Sequence, residues 1–152
     1  MGGKTGATHP EDAAMTTRLP LLALLALSAC SAVHAADLGI DLHGVRTQAG
    51  QLHVALVDAA GWDGQGAPLR AAAVAPSGAD AHVEFKDLPA GEYAVRVMHD
   101  ENGNGKLDTN MLGMPLEGYG FSNDPKVMRK PTFDEARFAL PATGTSIAIT
   151  LR

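Results

Sequence analysis

Tyr93-Ala94-Val95-Arg96-Val97-Met98-His99 decides the fold. Tyr93, Val95, Val97 and His99 fall on one face and Ala94, Arg96 and Met98 on the other, the period of a β-strand. Leu88-Pro89-Ala90-Gly91 before it has the composition of a turn. The same alternation recurs outward in both directions. Upstream, Leu38, Ile40 and Leu42 share one face, and Leu52, Val54 and Leu56 another. Thr47-Gln48-Ala49-Gly50 lies between these two segments, so they read as a hairpin. Val83 and Phe85 point inward on a further strand, opposite His82, Glu84 and Lys86. Downstream, Ala136, Phe138 and Leu140 alternate with Glu135, Arg137 and Ala139, and Ile147, Ile149 and Leu151 close the chain after the turn Pro141 to Gly144.

Two segments are less regular. Ala59 to Pro68, rich in Gly and Pro and carrying Trp62, reads as a loop. Leu69 to Ala75 is a weaker strand, alanine-rich enough to pass for a short helix. About seven short strands with no long helix predict an all-β fold, a single antiparallel β-sandwich of immunoglobulin-like type. One long insertion, Asp100 to Phe133, interrupts it, and a loop of that length in a small domain is usually functional.

The insertion opens with Asp100-Glu101-Asn102-Gly103-Asn104-Gly105-Lys106-Leu107-Asp108. Asp100, Asn102, Asn104 and Asp108 offer side-chain oxygens at alternate positions, Lys106 a backbone carbonyl, and Gly105 stands where a sharp turn needs it. This is how a chain wraps a hard cation such as Ca²⁺. Met111 stands at the twelfth position, where a helix-loop-helix site requires a bidentate Glu, and the entering segment is a strand. The loop is therefore not an EF-hand but resembles a free-standing calcium loop, with Glu117 or Asp124 as candidates to complete the shell. With only Asp100 and Asp108 charged among the core ligands, the expected affinity is weak, on the order of 10⁻⁴–10⁻³ M. The competing reading is a plain Asn-Gly turn, in which Asp and Asn cap their own backbone without a metal.

The beginning of the 152-residue chain reads differently. Met15-Thr16-Thr17-Arg18 followed by the apolar run Leu19 to Ala29 has the pattern of a secretory signal, and the run is too short to span a membrane. Residues 1–14, with Glu11 and Asp12, read as an upstream mis-start, 15–35 as the signal, and 36–152 as one domain. Val33-His34-Ala35 favours cleavage before Ala36 and a periplasmic or secreted protein. Leu27-Ser28-Ala29-Cys30 offers the alternative of a lipoprotein anchored through Cys30. Cys30 is the only cysteine, so the domain after it has no disulfide and no thiol chemistry. Lys4, Glu11, Asp12 and Arg18 cancel, leaving that domain the whole net charge of −5. This argues against nucleic acid as a partner.

Several unusual words occur in order along the chain. They are Leu88-Pro89-Ala90-Gly91-Glu92-Tyr93-Ala94-Val95, the stretch His99 to Asp108, Gly113-Met114-Pro115-Leu116-Glu117-Gly118-Tyr119-Gly120-Phe121-Ser122-Asn123, and Pro131-Thr132-Phe133-Asp134-Glu135-Ala136. Together they resemble the small exported bacterial proteins of domain-of-unknown-function family twenty-one forty-one, over about Leu38 to Leu151. The resemblance implies an exported, single-domain, prealbumin-like β-sandwich with no assigned activity. The Leu-Pro-x-Gly-x-Tyr turn is also similar to carboxypeptidase-regulatory and collagen-adhesin B-type sandwiches, a likeness of fold alone.

Other residues offer chemistry of their own. His99 ends an inward face and reads as a hydrogen-bonded core residue pinning the loop. His43 and His53 lie on polar faces of the expected hairpin, where aligned register would make a weak transition-metal site. Tyr119 and Phe121 either form a recognition loop or fold back to plug the sandwich end. Asp134 and Glu135, adjacent on a strand, would point to opposite faces. Nucleophile-elbow, phosphate-loop and His-Glu-x-x-His motifs are absent from the sequence. The favoured expectation is a non-catalytic binding or structural module of the cell envelope, with a Ca²⁺-type loop and an unknown protein or glycan as partner. The alternatives are a hydrolase-like periplasmic enzyme with a cleft of His99, Glu117 and Tyr119, and a periplasmic metal-handling protein.

Overall fold

The computed structural model describes residues 35–152, with residues 2, 3 and 6. Apart from those three residues and Ala35, the expected mis-start and signal, with Cys30, lie outside the described residues. Eight strands and two single helical turns follow in the order β1 (Ala35–His43), β2 (Gln51–Val57), α1 (Ala59–Trp62), β3 (Arg70–Val74), β4 (Asp80–Pro89), β5 (Gly91–Asp100), β6 (Tyr119–Phe121), α2 (Phe133–Ala136), β7 (Phe138–Leu140) and β8 (Thr145–Thr150). They form two sheets, β4-β1-β8 and β3-β2-β5-β6, with β7 also on β5. The fold is an all-β sandwich.

The alternating residues build its core. Leu38, Ile40, Leu42, Val83, Phe85 and Ile149 from one sheet pack with Leu52, Val54, Leu56, Val95 and Val97 from the other. The expected hairpin is not formed. β1 and β2 lie in different sheets, and their apolar faces belong to the same core rather than to neighbouring strands of one sheet. β1 instead pairs β4 antiparallel and β8 parallel, so the sandwich is not antiparallel throughout.

Three other expectations are corrected. The Ala59 to Pro68 loop contains α1, capped by the Asp58 carboxylate on the Gly61 N–H, and it buries Trp62. Asp134 and Glu135 lie on α2, not on a strand. The long insertion is not all loop, because β6 adds to the free edge of β5 beside β7. Between β6 and β7, buried Ser122 continues the ladder. Its hydroxyl accepts from the Val95 N–H and donates to the Ala136 carbonyl.

A second, smaller cluster forms with Trp62, Val57, Ala94 and Ala136, against which Phe121 and Phe133 pack. It explains why Ala94 is buried although it points away from Val95's face. Trp62 donates its indole N–H to the Pro131 carbonyl, so this cluster ties α1 to the end of the insertion.

Candidate functional site

The insertion begins where β5 leaves the core. His99 and Asp100 are both buried there, and each has a structural task. His99 Nε2 lies 2.9 Å from the Ala49 carbonyl, which fixes the preceding turn. Its Nδ1 has no hydrogen-bond partner and lies 3.9 Å from a Glu101 carboxylate oxygen. Asp100 curls the following chain around itself. One carboxylate oxygen accepts the N–H groups of Gly103 and Asn104, and the other accepts that of Gly105. Gly103 and Gly105 have φ of 77° and 75°, the left-handed region this path requires. Burial acts to raise the Asp100 pKa, but the N–H groups of Gly105, Asn104 and Gly103 and the charge of His53 outweigh it. The carboxyl group is held below its ordinary range.

Asn102, Asn104 and Asp108 converge over this turn. Asp108 accepts from the amide nitrogen of Asn102 at 2.6 Å and from that of Asn104 at 3.0 Å. The amide oxygens of Asn102 and Asn104 accept the N–H groups of Asn104 and Lys106. Asp100 and Asp108 are the anionic donors available to a cation, and each asparagine oxygen keeps a second lone pair. A cation between them would require both amides to turn from Asp108. Among the described residues, no three His, Cys, Asp or Glu side chains converge as a metal-binding set.

Glu117 and Asp124 do not complete a shell. Glu117 is buried and clasps the loop ends, one oxygen accepting the Glu101 N–H and the other the Asp108 N–H. Asp124 bonds the backbone and hydroxyl of Thr150 on β8. Arg46 braces the same region by bonding Glu101 at 2.6 Å and the Leu116 carbonyl at 2.9 Å. Burial raises and Arg46, with the Gly118 N–H, lowers the Glu101 pKa, for a net shift downward. Sequence reading missed Arg46 because its partners are remote in the chain.

The other candidates separate. His43 bonds Asp80 at 2.8 Å and His82 bonds Asp41 at 2.8 Å, both across the β1–β4 pair, whereas His53 stands on β2, 3.7 Å from Asp100. His43 and His53 thus lie on different sheets and are not brought together. His99 is fully buried, so the expected enzyme cleft of His99, Glu117 and Tyr119 has no exposed imidazole at its centre.

Tyr119 and Phe121 do not plug the sandwich. Gly120 points inward instead, and Tyr119 and Phe121 share the opposite face of β6, 5.9 Å apart. There they form the floor of a cleft of about 440 Å³, with Leu107, Met114, Val127 and Met128 among its walls. This volume falls in the range of small-molecule sites, roughly 300–1,000 Å³. Met111, Leu112 and Met128 on the same insertion are 104%, 87% and 91% exposed. Of the exposed large hydrophobic residues in the described chain, all except Leu69 lie between Met111 and Met128.

The fold and this surface define a small β-sandwich that carries one elaborated, apolar-tipped insertion. The chain belongs to the family described as "Uncharacterized protein conserved in bacteria (DUF2141)", whose model matches residues 40–148. No curated protein and no solved structure matches it.

Proposed function

We propose that this protein is an exported, non-catalytic binding module of the bacterial cell envelope, with the insertion between β5 and α2 as its working face. The observation that carries this reading is the concentration of exposed Met and Leu side chains on a segment held firmly at its base. Large exposed apolar groups gathered in one place mark interaction surfaces. Export rests on the signal-like residues 15–35, with anchoring through Cys30 as the alternative exit. No helix among the described residues is long and apolar enough to cross a membrane.

In this reading the Asp100–Asp108 loop takes Ca²⁺ weakly and stiffens the insertion. Asp100, Asn102, Asn104 and Asp108 would hold the ion by side chains and Lys106 by its carbonyl. The preformed turn around Asp100 supports this assignment. The amide bonds from Asn102 and Asn104 to Asp108 favour the metal-free turn instead, and calcium must displace them. Thermal unfolding in EDTA and then in millimolar Ca²⁺ separates the two. A site present only in the folded state adds about 2.7 kcal/mol at one hundred times its dissociation constant. The expected result is a Ca²⁺-specific rise in Tm that Asp108→Ala abolishes. Equal midpoints with and without Ca²⁺ would make the loop a self-capped turn.

A further inference from the structure

The cleft on β6 has a chemistry that its apolar floor alone does not convey. Its lining includes Arg129, Lys130 and Arg152 and contains no Asp or Glu, in a chain whose net charge is −5. The three cations are not equivalent. Arg129 is neutralised by a paired contact with Glu135, two bonds of 2.8 Å. Arg152 donates to the Pro125 carbonyl and makes no ion pair among the described residues. Lys130 donates to the Trp62 carbonyl at 2.8 Å, lies 5.3 Å from the indole centroid, and likewise makes no ion pair there. One guanidinium without an acidic side-chain partner, that of Arg152, therefore borders a pocket walled by Tyr119, Phe121, Met114 and Met128, while the Lys130 ammonium is turned to Trp62, in a second cleft that Asp63 and Asp134 also line.

We propose that this cleft binds a small anionic amphiphile, a single aliphatic chain ending in a carboxylate. The inference rests on the reading of the insertion as a working face and adds the class of ligand. Flexible thioether side chains shape themselves to an aliphatic chain, and the aromatic pair on β6 gives it a rigid floor. Arg152 neutralises the head group at the cleft's edge. The cleft is sized for one chain, and the protruding Met111 and Leu112, which do not line it, are the surface a bilayer would use instead.

The test is calorimetric titration of the delipidated full-length chain with dodecanoate below its micelle-forming concentration. Octyl glucoside serves as the neutral comparison, and vesicles containing anionic phospholipid as the bilayer comparison. Saturable binding of one dodecanoate per chain is expected. Arg152→Glu should weaken it at least tenfold and leave the octyl glucoside response unchanged. Met114→Asp should weaken both ligands, with Tm of each variant confirming that it is folded. Failure to bind dodecanoate, or equal affinity in Arg152→Glu, overturns the proposal. Binding to vesicles alone also overturns it while sparing the working-face reading, whereas silence toward all three probes counts against both.

Discussion

His99 and Asp100 are neighbours on β5 with opposite chemistry, and both are buried where the strand becomes the insertion. Each is retained by hydrogen bonds to backbone far from a simple side-chain pair: His99 to Ala49, Asp100 to three successive loop residues. Ala49 is exposed, so losing this part-buried bond costs the ordinary net worth of a hydrogen bond, about 0.5–1.5 kcal/mol. His99→Phe keeps an aromatic ring there but loses the bond to the Ala49 carbonyl, so urea unfolding should show a loss of that size. An unchanged midpoint would mean that the Ala49 contact adds nothing. The role of His99 as a core pin was legible because it ended an inward-facing alternation. The role of Glu117 as a clasp was not, because its partners are backbone groups of Glu101 and Asp108, which no side-chain pattern announces.

Among the elements, α2 shows how much local chemistry stabilises one helical turn. Thr132 caps the Glu135 N–H, and the Glu135 carboxylate returns to the Thr132 N–H, forming a capping box. Arg129 adds a bidentate pair, and this guanidinium, with the Thr132 contacts, lowers the Glu135 pKa from 4.5 to about 2. A depressed carboxyl pKa stabilises the fold fully above the unfolded value and is lost as pH falls through the folded one. Stability should therefore fall between about pH 4.5 and 2, partly through Glu135. Asp100, shifted in the same direction, adds to this acid loss. Chemical denaturation across that range should show a shallower decline for Glu135→Gln than for the parent chain; parallel curves would rule out the Glu135 contribution. The sequence Thr132-Phe133-Asp134-Glu135 carries the capping-box pattern, but the alternation of Ala136, Phe138 and Leu140 extended a strand reading across it. Only β7, Phe138–Leu140, is strand.

At the scale of the whole molecule, the two sheets meet along one edge. The backbones of Tyr119 and Arg152 exchange hydrogen bonds of 3.3 and 2.9 Å, and β6 lies against β8. Gly120 permits the approach, since a Cβ there would lie 2.7 Å from the Ile149 side chain. Overpacking a filled interior costs about 1–3 kcal/mol. Gly120→Val should lose that much in equilibrium unfolding, and a neutral result would show that the edge yields freely. The same approach turns Tyr119 and Phe121 outward and so creates the cleft.

By itself the sequence determined the inward and outward residues of the main strands, the all-β sandwich and the family. A strand of period two records its own burial, and ordered words in the chain record kinship. It also placed the Asp100–Asp108 turn, whose glycines and carboxylate act on neighbouring residues. Tertiary structure alone decided that β1 and β2 enter different sheets, that β8 runs parallel to β1, that Trp62 has its own small core, and that residues between 107 and 130 line one cleft with Arg152. Each of these joins residues far apart in the chain. Alternation says which face of a strand is buried but not which strand lies beside it, because backbone hydrogen bonds are the same for every partner.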